Sequence, residues 1–217
     1  MAEQDQRAAL IAAAREMNAL GINQGTSGNL SIRHGDAMLI TPSGTPYDAL
    51  TPEQIPLVFL EDGRFEGPLA PSSEWRMHRD ILRARKDVNA VVHTHSTYAT
   101  VLAALRRDIP AVHYMIGVFG ASRIRCTGYA PFGTQALSDL AVEGLGRAHG
   151  VLLGNHGMIV TADGLERAMW RAVELETLAR VYYLARLAGE PVILPEEEIV
   201  AEIERFASYG LKTTEAR

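Results

Sequence analysis

The stretch Val88-Asn-Ala-Val-Val-His-Thr-His95 constrains this chain more than any other. Its small and β-branched apolar residues have the composition of a strand covered on both faces, which calls for a layer of structure above it and another below. It closes on His93 and His95, two histidines at i and i+2. A strand turns such a pair to one side, because successive side chains alternate faces. Imidazole is the commonest nitrogen ligand of zinc, so the pair is half a metal site. A polar strand end with its hydrogen bonds met has the same spacing, and the spacing alone leaves both readings open.

The bulk of the chain narrows the class. With 217 residues, 47% hydrophobic and 22% charged, it reads as one globular domain over 1–217, long enough to bury a core. A net charge of -5 argues against a nucleic-acid or anionic-membrane surface, but not against a small anionic substrate held by a few local donors. Cys126 stands alone, which rules out an internal disulfide and suits a reducing cytoplasm. The polar, acidic start Met1-Ala-Glu-Gln-Asp-Gln-Arg7 is unlike a secretory leader. No apolar run reaches the ~20 residues that a membrane span needs.

Residues 2–20 read as a helix, with Leu10, Ile11, Ala14, Met17 and Leu20 as its apolar stripe and Gly21 as its stop. Asn23-Gln-Gly-Thr-Ser-Gly-Asn-Leu-Ser31 is a loop of glycines and small polar side chains, able to bring backbone N–H groups close to an anion. Two short strands follow, 30–33 and 37–41, with His34-Gly-Asp36 as their turn. Pro42-Ser-Gly-Thr-Pro46 is a second such loop; 57–60 is a strand, and Glu61-Asp-Gly63 a hairpin turn. Ser72 and Ser73 read as the N-cap of a helix over 75–85, with Glu74 in its first turn.

After the histidine strand, 96–106 is helical and 109–115 is an apolar segment in which His113 is expected to be structural. A strand over 123–127 and a helix over 133–149 lead to a buried strand, 150–153, and to Gly154-Asn-His-Gly157, with 158–161 continuing beyond. His156, flanked by glycine at a strand end, is open enough to be a third ligand. A long helix over 164–187 and a last one over 195–206 close the chain. Strands mixed with helices, without strict βαβ spacing, predict an α/β sandwich of helices around a sheet.

The candidates are therefore His93, His95 and His156 as nitrogen ligands, with Glu74 as a nearby carboxylate. Three histidines with an open fourth position is the plan of a catalytic zinc centre. The loops at Gly28-Asn29, Ser43-Gly44 and Ser72-Ser73 supply backbone and hydroxyl donors for a phosphate. A metal that polarises a carbonyl, beside a carboxylate base and a phosphate cradle, suits proton or carbon–carbon chemistry next to a ketone.

Seven segments in order carry a resemblance: Asn23-Gln-Gly-Thr, Leu39-Ile-Thr-Pro, Pro71-Ser-Ser-Glu-Trp-Arg, Asn89-Ala-Val-Val-His-Thr-His, Ile109-Pro-Ala-Val-His-Tyr-Met-Ile, His156-Gly and Tyr209-Gly-Leu. Together they resemble the class II aldolase and adducin family, most of all its bacterial L-fuculose-1-phosphate aldolases. That resemblance implies a three-layer α/β/α fold on a mixed, largely antiparallel central sheet, and a homotetramer with active sites between subunits. It implies that His93, His95 and His156 hold Zn2+, with Glu74 a ligand until substrate displaces it and it becomes the base or acid beside the carbonyl. It also implies that Gly28, Asn29, Ser43, Gly44, Ser72 and Ser73 bind the phosphate of a small sugar phosphate. Tyr114 would serve as proton donor from the adjoining subunit, and Tyr209 would close over the site.

The expected reaction is retro-aldol cleavage of a ketose 1-phosphate, such as L-fuculose 1-phosphate, to dihydroxyacetone phosphate and an aldehyde. The chain departs from the fuculose pattern at Ser27, at Asn155 and along Gly117-Val-Phe-Gly-Ala-Ser122, which bears on the aldehyde half. 5-Deoxyribulose and 5-methylthioribulose 1-phosphate are therefore alternatives. An L-ribulose-5-phosphate 4-epimerase of this family carries an acidic residue after the central histidine segment, and 115–121 contains none. Dehydratase and decarboxylase siblings rank equally low. A non-catalytic domain like the adducin head loses the metal, against which the intact Glu74, His93, His95 and His156 argue.

Overall fold

In the computed structural model, residues 2–207 are described. Nine strands form one sheet in the order β4-β3-β2-β1-β5-β9-β8-β7-β6. They are β1 Asn29–His34, β2 Ala37–Ile40, β3 Leu57–Phe59, β4 Phe65–Glu66, β5 Ala90–Thr94, β6 Ile109–Pro110, β7 Arg123–Cys126, β8 Gly150–Leu153 and β9 Gly157–Ala162. Every pairing is antiparallel except that of β7 with β8. The histidine stretch becomes β5, in the middle of the sheet, as its two-sided apolar composition requires.

Alternation along the central strands builds the layers. On β5, Ala90 and Val92 enter one core cluster and Val91 the other; on β9, Met158, Val160 and Ala162 enter the first and Ile159 the second. The first cluster is closed by α1 Glu3–Ala19, α3 Thr97–Ala104, α5 Leu165–Ala188 and α6 Glu196–Ala207. The second is closed by α2 Trp75–Ala84 and α4 Gln135–Leu145. Helices thus cover both faces of a largely antiparallel sheet, the expected α/β/α sandwich. Met77, Ile81 and Leu82 form the buried stripe of α2, each contributing roughly 1.5–3 kcal/mol by leaving water. His78 sits in the same stripe and is wholly buried.

Local differences from the sequence reading have simple causes. The two-residue strands β4 and β6 are too short to show a period. Part of the apolar segment after β6 is a 3-10 turn, Tyr114–Phe119, capped by His113, whose Nδ1 accepts from the Met115 N–H at 3.3 Å. The serines before α2 are not its N-cap. Glu74 itself takes that position, and Ser72 Oγ accepts the Glu74 N–H at 3.2 Å in a turn of its own. Leu20, expected in the apolar stripe of α1, lies past the helix end and is exposed. Among the described residues no helix is long and apolar enough to cross a membrane.

Candidate metal centre

His93 is the fourth residue of β5 and His95 lies one residue past its end, so the alternation that puts Val91 on the α2 side puts both histidines there as well. Asn29 on β1 stands directly across from His93. His156 comes from the turn between β8 and β9, where Asn155 adopts a left-handed φ of 57°. Glu74 is delivered by the start of α2, which covers this face.

The four side chains converge: their ligand atoms all lie within 4.8 Å of one another. His93 Nε2 is 3.0 Å from His95 Nε2 and 3.2 Å from Glu74 Oε2, and His156 Nε2 is 3.3 Å from Glu74 Oε1. Ligand atoms around a tetrahedral ion with bonds of 2.0–2.1 Å stand about 3.3 Å apart, close to these three separations. Three further observations fit a cation. His93 Nδ1 donates to the Met158 carbonyl at 2.9 Å, which leaves the Nε2 lone pair facing the cluster. Glu74 Oε1 is buried and accepts no hydrogen bond. At Gly157 a Cβ would stand 2.5 Å from the Thr94 carbonyl oxygen, 2.9 Å from His95 Cδ2 and 3.4 Å from His93 Cε1, so only glycine keeps the cradle open.

The electrostatics agree. Burial pushes His95 and His156 down to about 4, with His93 adding to the effect, so both rings are neutral near pH 7 and offer lone pairs. Burial by itself would raise the Glu74 carboxyl. The opposing pull of His93, His156 and the Asn29 amide outweighs it and holds the group well below the usual carboxylate range.

The three loops expected to bind phosphate are stitched to one another. Pro42 and Pro71 form an antiparallel bridge, the Ser43 N–H donates to Ala70 O at 3.1 Å, and the Ser72 N–H donates to Thr41 O at 3.0 Å. The Thr41 N–H in turn donates to Leu30 O at 3.0 Å, which ties in the Gly28-Asn29 loop. Gly28 presses on the histidine strand: a Cβ there would meet Asn23 Oδ1 at 2.5 Å and the His93 carbonyl at 2.7 Å. Ser43, Gly44 and Ser73 are exposed, whereas Ser72 and Asn29 are buried. The Asn29 side chain turns inward, donating to Glu74 Oε2 at 2.9 Å and accepting from His78 at 2.6 Å.

Sequence reasoning passed over His78. The signal was there: it lies one turn after Glu74 and interrupts an apolar stripe, where an imidazole needs partners. Tyr114 is not brought to the cluster. It starts the turn after β6, the edge strand four places from β5, and its ring stacks on His113 and Phe206 while remaining 48% exposed. Tyr209 lies outside the described residues. Two open surface depressions, lined by residues such as Arg79, Arg83, Trp75 and Gln135, contain none of the cluster, whose four side chains close on each other.

Comparison with known proteins points the same way. The family described as Class II Aldolase and Adducin N-terminal domain matches residues 8–183. A 5-methylthioribulose-1-phosphate/5-deoxyribulose-1-phosphate aldolase of Rhodospirillum rubrum is 49% identical over 205 residues, covering 94% of this chain and 92% of its own. An L-fuculose phosphate aldolase of Escherichia coli is 45% identical over 202 residues, covering 92% and 93%. A solved L-fuculose 1-phosphate aldolase superposes with a TM-score of 0.92 at 38% identity, covering 95% of this chain and 98% of that one. With the family's fold, near full-length relatives and a Glu/His metal cluster in place, this chain belongs to the class II aldolase family, enzymes of the lyase class.

Proposed function

We propose that the protein is a zinc-dependent aldolase of one domain that cleaves a ketose 1-phosphate into dihydroxyacetone phosphate and an aldehyde, and that it works in the cytoplasm as a homotetramer. The observation that carries this reading is the meeting of Glu74 with three imidazoles at the corner where the hydroxyl and glycine loops are joined. His93, His95, His156 and Glu74 are the residues that would hold the ion. When bound, a divalent cation supplies positive charge that stabilises the electron density gathering on the substrate oxygens during cleavage.

The remaining work falls to the chain. Cleavage removes the proton of the C4 hydroxyl, breaks the C3–C4 bond with its electron pair left on C3, and delivers a proton to C3. Glu74 is the group we assign to deliver that proton. It stays in a buried corner, which raises a carboxyl, and moving it away from the His93 and His156 rings and the Asn29 amide removes the interactions that hold it low. The backbone at Gly28 and Gly44 and the hydroxyls of Ser43, Ser72 and Ser73 would bind the phosphate, with the Asn29 side chain chiefly orienting Glu74. In the condensation direction Tyr114 donates its phenol proton to the aldehyde oxygen in a neighbouring subunit's site; in cleavage its phenolate takes the C4 hydroxyl proton back. Its exposure and its place far from the cluster of its own chain support a role across an interface. Tyr209, outside the described residues, is assigned to the site by the family resemblance alone.

L-Fuculose 1-phosphate is one candidate ketose. The 49% identity to the Rhodospirillum rubrum enzyme and the departure at Asn155 favour 5-methylthioribulose or 5-deoxyribulose 1-phosphate as a second. All three share the dihydroxyacetone phosphate half and differ in the aldehyde. The test is coupled detection of dihydroxyacetone phosphate from these three sugars, with and without a chelator. Chelator-sensitive release is expected, and the relative rates name the substrate. No release from any of them by zinc-loaded protein would overturn the aldolase reading in favour of the epimerase or its siblings.

A further inference from the structure

A file of buried side chains runs behind Glu74, and no step above uses its far end. Ser31 Oγ lies 2.8 Å from His78 Nδ1, His78 Nε2 lies 2.6 Å from Asn29 Oδ1, and Asn29 Nδ2 lies 2.9 Å from Glu74 Oε2. Ser31 and His78 are completely buried, and Asn29 and Glu74 nearly so. Hydrogen-bond chemistry leaves the file one direction. An ionised carboxylate only accepts, so Asn29 turns its NH2 to Glu74 and its carbonyl oxygen to His78. That oxygen also only accepts, so His78 carries its proton on Nε2, and its bare Nδ1 accepts from the Ser31 hydroxyl. The other tautomer would let the amide turn round and set its oxygen against the carboxylate. Burial, reinforced by the nearby His93, pushes His78 down to about 3. The ring is therefore neutral, as an acceptor for Ser31 must be.

We propose that His78 is a positioning residue: by donating from Nε2 to Asn29 Oδ1 it locks the amide with an N–H on Glu74, and so sets where the carboxylate stands relative to His93, His95 and His156. The inference rests on the metal-centre reading above. Groups that orient metal ligands from behind are commonly worth about 10–100-fold in metal affinity. Asn29 could not do this alone, because a free amide rotates between two faces that look alike in shape and opposite in charge.

The test compares two amides. In His78→Gln the side-chain nitrogen stands where Nε2 stood and reaches Asn29. In His78→Asn it stands nearer the place of Nδ1 and reaches only Ser31. Both bury a neutral amide, and because Asn is one methylene shorter, the same substitution made without Glu74 separates the lost contact from lost packing. Zinc affinity is measured by competition with a chromophoric chelator, with thermal melting as the check on folding. His78→Gln is expected to bind within about threefold of the parent and His78→Asn about tenfold or more weakly. In a Glu74→Ala background the Asn substitution is expected to cost nothing further. Equal losses in both variants, no loss in either, or an undiminished loss without Glu74 would overturn the proposal. If His78→Asn does not fold, His78→Leu replaces it, filling the space while donating nothing to Asn29; zinc binding weakened about tenfold supports the proposal and parental affinity overturns it. A parent that binds no zinc defeats the metal-centre reading instead. A parent that binds zinc without releasing dihydroxyacetone phosphate defeats only the proposed reaction.

Discussion

Gly157 shows how much one missing side chain can decide. A methyl group there would stand within 3 Å of both the Thr94 carbonyl and the His95 ring. Gly157→Ala is therefore expected to cost about 1–3 kcal/mol in a denaturant melt, as overpacking does, and to weaken metal binding in the same protein. His95 lies past the strand end and is only partly buried, so its truncation leaves no core cavity. His95→Ala should lose bound metal and activity while its chelated melting temperature stays near that of the chelated parent; full activity in that variant would sink the assignment. Glu74→Gln keeps shape and removes the proton carrier. Steady-state kinetics should show kcat reduced by about 100-fold or more with KM little changed. His93 and His95 were legible in the sequence because a strand has a period of two. Asn29 was read as a phosphate contact, yet its side chain faces Glu74 and His78, which only the pairing of β1 with β5 beneath α2 could bring about.

Among the elements, α3 deserves its own test because it begins two residues after His95. Its first free N–H groups, on Tyr98 and Ala99, donate to Glu176 Oε1 and Oε2 at 2.8 and 2.9 Å from α5. A carboxylate there satisfies two orphan donors and complements the helix dipole. Glu176→Ala should lower stability by about 1–2 kcal/mol, read from the urea midpoint at unchanged slope. An unaltered midpoint would mean that water replaces the cap at no cost. Most helices and strands of four residues or more were legible within a residue or two, since each carries its period and its stop signal. The N-cap of α2 was not, because Ser72 met the Glu74 N–H in a local turn and left Glu74 to start the helix.

At the scale of the molecule, acid should unfold the chelated protein early. Burial and nearby arginines push His149 down to about 4, burial pushes His78 down to about 3, and His95 and His156 lie near 4. Unfolded histidines titrate near 6.5. Below that value the unfolded chain binds more protons than the folded one, so stability rises with pH across this window. It is fully present above about pH 6.5 and lost progressively as the pH falls toward 4 and 3. Melting temperatures of chelated protein between pH 7 and 4.5 should fall accordingly, and a flat profile would contradict the burial of these rings. A site shared between subunits predicts complementation: Tyr114→Phe and His95→Ala proteins, unfolded together and reassembled, should recover activity that neither shows alone. Mixtures no more active than the average of the two would place Tyr114 outside the site.

The sequence by itself determined the class of fold and the residue types of the site. Two-sided apolar strands demand covering helices, and histidines at i and i+2, a glycine-flanked histidine and a carboxylate at a helix start are local patterns. Only the tertiary structure decided which of these meet. Residues 29, 74, 93 and 156 are far apart along the chain, and their separations are set by strand register and by the crossing of α2 over β1 and β5. Backbone preference acts over a few residues, whereas a metal polyhedron or a directed file of hydrogen bonds needs several segments placed to within tenths of an ångström. Packing of the whole sandwich supplies that placement.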